Sequence, residues 1–220
     1  MHIYKRKINF LPGQLKTSFA AWLLGLTILI GFSFINTSFL TNDQQNITRY
    51  GVWRDGERVG NLRLYHNAEG NSLNLKIESE VKTRFVIGIN VKSVEEAKFL
   101  NGKLVYSSIS RIVNGSEKMN RVIRAAANGY QITEDNKTTT VALAPIVHNL
   151  LMLYSAEPVN ISRLYSENHQ KYVQIQRVEP HKYKVTLPNG NYNYYSYAGG
   201  KCSQVDIHTS FYTIQFKIAS

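Results

Sequence analysis

Hydrophobic and polar residues alternate along most of the chain from about residue 46 onward. The run SLNLKIE (72–78) shows the pattern, with leucine or isoleucine at every second position and polar residues between them. Such alternation puts successive side chains on opposite faces of a β-strand, one buried and one wet. Asp-Gly and Asn-Gly pairs, which suit the tight turns of β-hairpins, separate many of these runs. They lie at 55–56, 101–102, 114–115, 128–129 and 189–190. The pattern therefore predicts successive antiparallel hairpins.

The predicted strands fall into two series. The first comprises residues 46–54, 58–66, 72–81, 85–100, 103–113, 118–125, 130–133 and 138–143; the second comprises 159–164, 171–179, 183–187, 192–197, 203–208 and 211–218. So many strands with one apolar face each predict an all-β fold, an antiparallel meander curled into a barrel or half-barrel. A sandwich and a sheet that does not close both stay open.

One short helix is predicted between the two series. Pro145 suits a first helical turn, and Ile146, Leu150, Leu153 and Tyr154 follow at helical spacing. The helix is expected to end before Pro158. In a curled sheet it would lie on the concave side, as a core plug or as a movable lid over an apolar cavity, and the plug is favoured.

The N-terminal region differs from the rest of the chain. Residues 19–35 form a run of 17 without a charge, preceded by four Lys or Arg and no acidic residue. As a helix this run would measure about 25 Å, and extension to residue 40 would cross a hydrocarbon core of about 30 Å. We predict a cytoplasmic basic N-terminus (1–18), a transmembrane anchor or signal segment (19–40) and a single extracytoplasmic β-domain (41–220). A retained anchor facing the periplasm or cell exterior is favoured over secretion after signal cleavage.

The β-rich part of the chain resembles an uncharacterised family of secreted bacterial envelope proteins, a domain of unknown function. The resemblance rests on YGVWRDGERVGNLRL (50–64), LYSAEPVNISRLYSE (153–167) and KYKVTLPNGNYNYYSYAGGKCSQVDI (182–207). More loosely, the chain is similar to half-barrel periplasmic lipoprotein carriers. The resemblance implies an envelope location and a strongly curved sheet around a short helix. Ligand binding follows only by analogy with the carriers.

Charge and composition narrow the function classes. Beyond residue 40 the chain has 22 basic and 15 acidic residues, formally +7, and the cations are scattered, which disfavours nucleic acid as a partner. The single cysteine, Cys202, excludes an internal disulfide and is expected to be a small buried side chain. Neither a metal-ligand spacing nor a G-x-S-x-G nucleophile motif occurs, so no metal, cofactor or catalytic residue is assigned. The oligomeric state stays open.

The leading function hypothesis is noncatalytic binding of a lipid or other amphiphilic ligand in the cell envelope, with a glycan as another possible ligand. The candidate ligand-binding residues come from the predicted helix and from the tyrosine-rich strand. They are Leu150, Leu151, Leu153, Tyr154, Tyr192 and Tyr194. A carbohydrate-active hydrolase using Glu157 or Glu167 is the first alternative, because paired carboxyl groups can divide acid and base roles. A structural or partner-binding envelope protein is the second.

Overall fold

The computed structural model describes residues 46–84 and 88–219, most of which lie in one antiparallel sheet of 14 strands. The strands are β1 (Asn46–Arg54), β2 (Glu57–Glu69), β3 (Ser72–Arg84), β4 (Gly88–Leu100), β5 (Lys103–Val113), β6 (Ser116–Ala126), β7 (Gly129–Glu134), β8 (Lys137–Val141), β9 (Arg163–Ser166), β10 (Lys171–Glu179), β11 (Lys182–Thr186), β12 (Tyr192–Ala198), β13 (Lys201–His208) and β14 (Thr213–Ile218). The all-β prediction is confirmed, and every predicted strand has a counterpart. The largest shift is in β9, which begins at Arg163.

The strand order is β8-β7-β6-β5-β4-β3-β2-β1-β14-β13-β12-β11-β10-β9. Almost every neighbour in the sheet is also a neighbour in sequence, as a meander requires. The exception is β1, which pairs with β14 and so joins the two series at the middle of the sheet, with Tyr50 opposite Ile218. The edges are β8 and β9, and among the described residues no ladder connects them. The sheet is therefore not closed by hydrogen bonds.

The turns follow the predicted chemistry at three hairpins. Asp55-Gly56, Asn101-Gly102 and Asn114-Gly115 each place both residues at positive φ, between 49° and 82°. This is the conformation of the tight turn whose twist matches the flanking strands, and Asn, Asp and Gly adopt it at least cost. The turn between β7 and β8 uses the same geometry without glycine, at Asp135 and Asn136.

The predicted helix over 145–154 is corrected to a single 3₁₀ helix, Leu150–Tyr154. The backbone of Ile146 is unavailable to a helix, because its N–H donates to the Tyr130 hydroxyl at 2.8 Å and its carbonyl accepts from the Leu104 N–H at 2.8 Å. Asn149 then begins the helix, since its side-chain oxygen accepts from the Met152 N–H at 3.1 Å. Contacts with distant strands thus replace the first helical turns.

Residues 146–154, here called the plug, lie against one face of the sheet, the inner face. Ile146 and Leu151 belong to a buried cluster built mainly on β1 to β7, whereas Leu153 belongs to a second cluster built on β9 to β13. The plug therefore connects the cores of the two series. Backbone hydrogen bonds also join the plug to both series of strands. The Leu104 N–H of β5 donates to the Ile146 carbonyl, and the Tyr165 N–H of β9 donates to the His148 carbonyl at 2.9 Å.

Tyrosine hydroxyls satisfy buried backbone groups around the plug. The Tyr130 hydroxyl accepts from Ile146 and donates to the Leu104 carbonyl at 3.1 Å, while the Tyr197 hydroxyl donates to the Leu153 carbonyl at 2.7 Å. A buried backbone group without such a partner would cost about 1–3 kcal/mol. These two tyrosines thus serve packing and hydrogen bonding in the core.

The predicted segments 1–18 and 19–40 lie outside the described residues. Within the described part, none of the helical structure has the length and apolar character needed to cross a membrane. Cys202 is fully buried, as expected, and burial raises the pKa of its thiol to about 12.

Candidate functional site

A row of charged side chains crosses the inner face of β4 to β7. Glu95 of β4 is paired in register with Ile109 of β5, Ile109 with Arg121 of β6, and Arg121 with Glu134 of β7. Glu95 points inward because it is in phase with the buried Ser93 and Ala97 on the same strand. We call Glu95, Arg121 and Glu134 the charged row. Charges on the inner face of a sheet require partners.

Arg121 joins the two ends of the sheet. Its side chain is 8 % exposed and its Nη2 lies 2.6 Å from Glu134 Oε1. Its Nη1 donates to the backbone carbonyls of Glu167 at 2.6 Å and of Asn168 at 2.9 Å, in the turn after β9. These carbonyls directly follow β9, the edge strand at the far end of the sheet. One guanidinium group therefore connects β6 and β7 to that edge. Side-chain bonds thus connect the two ends where the described strands form no ladder.

Glu167 is buried beside the plug. Asn149 Nδ2 donates to Glu167 Oε1 at 2.5 Å, and only 8 % of the glutamate is exposed. Burial raises the pKa of Glu167 to about 7, with a smaller upward contribution from Glu95, and the hydrogen bond from Asn149 opposes the shift. The carboxyl group therefore titrates near neutral pH.

Glu95 forms an ion pair with Arg111, the next inward-facing position after Ile109 on β5. Arg111 Nη2 lies 3.5 Å from Glu95 Oε1, and the side chains are 33 % and 38 % exposed. The surrounding protein still desolvates the carboxylate, and this raises the pKa of Glu95, while Arg111 pulls it down by less. The two side chains are thus partly open to solvent, while their surroundings disfavour the ionised form of Glu95.

The space beneath the plug at this row is small. A cavity of about 30 Å³ is lined by Glu95, Ile109, Leu150, Leu151, Glu167 and Asn168. It has room for only one or two water molecules, since each needs about 10–15 Å³ of such volume. The plug thus leaves little space at the charged row.

Beyond the charged row, the part of the chain that the structure describes leaves several inward-facing side chains partly exposed. We call this region the open end. Its inward-facing residues are Ser79 and Val81 of β3, Val91 and Ser93 of β4, Arg111 and Val113 of β5, and Met119 of β6. Val91, Val113 and Met119 are partly exposed and pack against neither buried cluster. The open end thus combines apolar walls with the Glu95–Arg111 pair as its floor.

The structure separates the sequence-predicted binding residues into two groups. Leu151 and Leu153 are 5 % and 1 % exposed in the core, while Leu150 and the ring of Tyr154 are partly buried beside them.

Tyr192 and Tyr194 alternate with the buried Asn193 and Tyr195, so both lie on the outer face. There the Tyr192 ring stacks on His208 at 4.7 Å. The plug residues and the two outer tyrosines are therefore on opposite faces of the sheet and do not form one site.

The two predicted carboxyl groups have separate partners. Glu157 accepts from the Tyr183 hydroxyl at 2.8 Å and lies 3.1 Å from His181 Nδ1, whereas Glu167 is bound by Asn149. Among the residues described, no three His, Cys, Asp or Glu side chains cluster as metal ligands would.

Glu95, Arg111 and Arg121 are functional candidates that the sequence reasoning missed. A signal was available, because each is a charged residue in phase with the apolar positions of a long strand.

Comparison with known proteins supports the fold and the family. The family profile DUF6134, described as a domain of unknown function, matches residues 50–219, which confirms the predicted resemblance to an uncharacterised family. Among solved structures, a β-barrel-like protein of the domain of unknown function DUF1849 from Brucella abortus aligns with a TM-score of 0.52 at 8 % identity, covering 79 % of this chain and 95 % of that one. At this identity the likeness concerns the fold alone. No curated protein matches the sequence.

Proposed function

We propose that this chain, which belongs to the DUF6134 family of unknown function, is a noncatalytic cell-envelope protein that binds an anionic amphiphile at its open end. The observation that carries the proposal is the inner face of β3 to β6 beyond the charged row. There apolar side chains that the strand pattern directs inward stay partly exposed, next to an arginine at the floor. Apolar side chains with one placed charge are the usual lining of a small-ligand site.

The apolar part of the ligand would lie against Val81, Val91, Val113 and Met119. These side chains come from adjacent strands and share one face, so they form a continuous surface. Each methylene removed from water contributes about 0.8 kcal/mol, and an alkyl chain could supply several. The filled space beneath the plug limits the chain to the open end.

The charged head group would meet Arg111. Because the protein surroundings raise the pKa of Glu95, this carboxyl group is a weaker counter-ion than an exposed glutamate. An incoming carboxylate or phosphate can then pair with the guanidinium group through two parallel hydrogen bonds. This selects an anionic over a cationic head group.

The predicted location fits such a ligand. We propose that residues 19–40 form a retained transmembrane anchor, with the β-domain on the periplasmic or outer side of the membrane. Amphiphiles with acidic head groups are abundant at a membrane surface, so ligand and protein would share one compartment. N-terminal sequencing of the exported protein tests the anchor, since a start just after residue 40 would show cleavage instead.

Photo-crosslinking tests the binding proposal. Full-length protein in membrane vesicles is exposed to a fatty acid that carries a mid-chain diazirine, and labelled peptides are mapped by mass spectrometry. We expect labels on the inner positions of β4 to β6. Val91→Trp should fill the open end and reduce labelling about tenfold, whereas Val94→Trp, on the outer face of the same strand, should leave it unchanged.

A second variant tests the head group. Arg111→Gln should weaken labelling by the fatty acid about tenfold and leave labelling by the matching fatty alcohol unchanged. Labels confined to other strands, or equal loss in the two tryptophan variants, would overturn the proposal.

A further inference from the structure

The outer face of the sheet carries a groove that the open end does not use. It measures about 640 Å³ and is formed by side chains of β2 to β5. The side chains along it are Tyr65, Asn67, Asn74, Lys76, Glu78, Glu96, Lys98 and Tyr106. We call this the outer groove. Its volume falls within the range of about 300–1,000 Å³ typical of small-ligand sites.

In one half of the outer groove, two carboxylates share one lysine. Lys76 Nζ lies 2.9 Å from Glu78 and 3.6 Å from Glu96, and the Tyr65 hydroxyl donates to Glu78 Oε2 at 2.9 Å. The hydrogen bonds from Lys76 and then Tyr65 hold the pKa of Glu78 below its usual range, so it stays ionised at neutral pH. This half offers fixed hydrogen-bond acceptors and an aromatic ring.

The other half of the outer groove has cations without carboxylate partners. Tyr106 is paired in register with Lys98 on one side and with Arg124 on the other. Arg124 lies over the Tyr106 ring, with its Cζ 5.3 Å from the ring centroid. Within the described part of the chain, neither cation forms an ion pair, and both are exposed. The ring therefore lies between two positive charges available to a ligand.

We propose that the outer groove binds an acidic oligosaccharide, a chain of sugar units carrying carboxylate groups. The apolar face of a sugar can stack on Tyr106, and its carboxylate can reach Lys98 or Arg124. Hydroxyl groups can donate to Glu78 and Glu96 in the other half.

The same face provides a matched control. On the second series, Lys184 lies over the Tyr192 ring at 4.5 Å and near the Tyr194 ring at 6.0 Å, so it also pairs tyrosine with lysine. These side chains lie on the outer face of β11 and β12, strands far from β2 to β5 in the sheet order. If acidic polymers bound to any basic and aromatic surface, they would bind equally well at the outer groove and at the Lys184–Tyr192–Tyr194 cluster.

Calorimetric titration of the full-length protein tests the inference, with a hexamer of uronic acid units and a neutral glucose hexamer as probes. We expect the acidic hexamer to bind and the neutral one to bind at least tenfold more weakly. Tyr106→Ala and Lys98→Gln should each weaken binding about tenfold. Tyr194→Ala and Lys184→Gln should leave it unchanged, and circular dichroism should show every variant folded.

Three outcomes would overturn the inference. They are no binding of the acidic hexamer, equal binding of both hexamers, and equal losses at the control positions. Because Lys98 is exposed and unpaired within the described part, Lys98→Gln keeps the test valid even if Tyr106→Ala unfolds the protein. The result is separate from fatty-acid labelling of the open end, so either proposal can fail alone.

Discussion

The plugged part and the open end of the inner face are built from the same strands, yet they differ in burial. On β5, Leu104 is 1 % exposed where the plug covers it, whereas Val113 on the same face is partly exposed. Both positions are apolar and both follow the alternation of the strand. The difference arises because the plug ends at the charged row. Strand pattern directs a side chain inward, but a covering element is needed to bury it.

The two regions also differ in how polar groups are satisfied. In the plugged part, tyrosine hydroxyls such as Tyr130 and Tyr197 bind backbone groups of the plug. At the open end, Glu95 and Arg111 pair with each other and keep contact with solvent. A fully satisfied buried network stabilises and fixes one structure, whereas partly solvated charges remain available to a ligand.

The largest expected effect is at the plug. Leu153→Ala should lower the free energy of unfolding by about 3–4 kcal/mol, because a fully buried side chain leaves a cavity between strands and plug. Val113→Ala at the open end should cost less than about 1 kcal/mol. Urea unfolding of both variants measures the contrast, and similar losses would show that the open end is part of the core.

The next effect concerns pH. The folded pKa of Glu167, about 7, lies above the usual 4.5, so the folded protein binds the proton more tightly than the unfolded chain. Stability should therefore be fully retained at about pH 4.5, fall as the pH rises towards 7 and stay lower above it. Glu167→Gln keeps the acceptor for Asn149 and removes the titration, so at pH 8 it should be more stable than the natural protein by up to about 3 kcal/mol.

Thermal unfolding between pH 4.5 and 8 checks this expectation. Glu157→Gln is the control, because the hydrogen bond with His181 lowers the pKa of Glu157 and its titration falls below this window. If the glutamine at position 167 leaves the slope of stability against pH unchanged, Glu167 is solvated rather than buried.

A smaller effect is expected from the tyrosine hydroxyls. Tyr130→Phe should destabilise the protein by about 1–2 kcal/mol, since the Ile146 N–H and the Leu104 carbonyl lose their shared partner in the core. Tyr194→Phe, on the outer face, should change stability by less than about 0.5 kcal/mol. Chemical denaturation measures both. Equal losses would mean that solvent reaches the plug backbone and replaces the hydroxyl.

The smallest effect is expected at the open end itself. Val91→Thr preserves shape and strand preference, and the side chain is partly exposed, so stability should change by less than about 0.5 kcal/mol. The same variant should reduce fatty-acid labelling, because it makes the apolar wall polar. A large loss of stability with unchanged labelling would reverse the assignment of the two regions.

The strands were predictable because their signals are local. Alternation in 72–78 and positive-φ residues at Asp55-Gly56 act over a few residues, and no distant contact is needed to interpret them. The helix at 145–154 was wrong because the local spacing of Ile146, Leu150 and Leu153 suits a helix while distant strands take the Ile146 backbone. For the candidate site, the inward phase of Glu95, Arg111 and Arg121 was a local signal, but their partners on other strands were not.

An antiparallel all-β domain, its hairpin turns and a buried Cys202 could be predicted from the amino-acid sequence, since period-two alternation and turn residues are properties of neighbouring residues. The three-dimensional fold sets how far the plug reaches, which inward positions stay partly exposed and which charges meet. Those features depend on contacts such as Tyr130 with Ile146 and Arg121 with the Glu167 carbonyl, between residues distant in sequence. The register of the sheet and the path of the plug bring these residues together, and no local pattern encodes either.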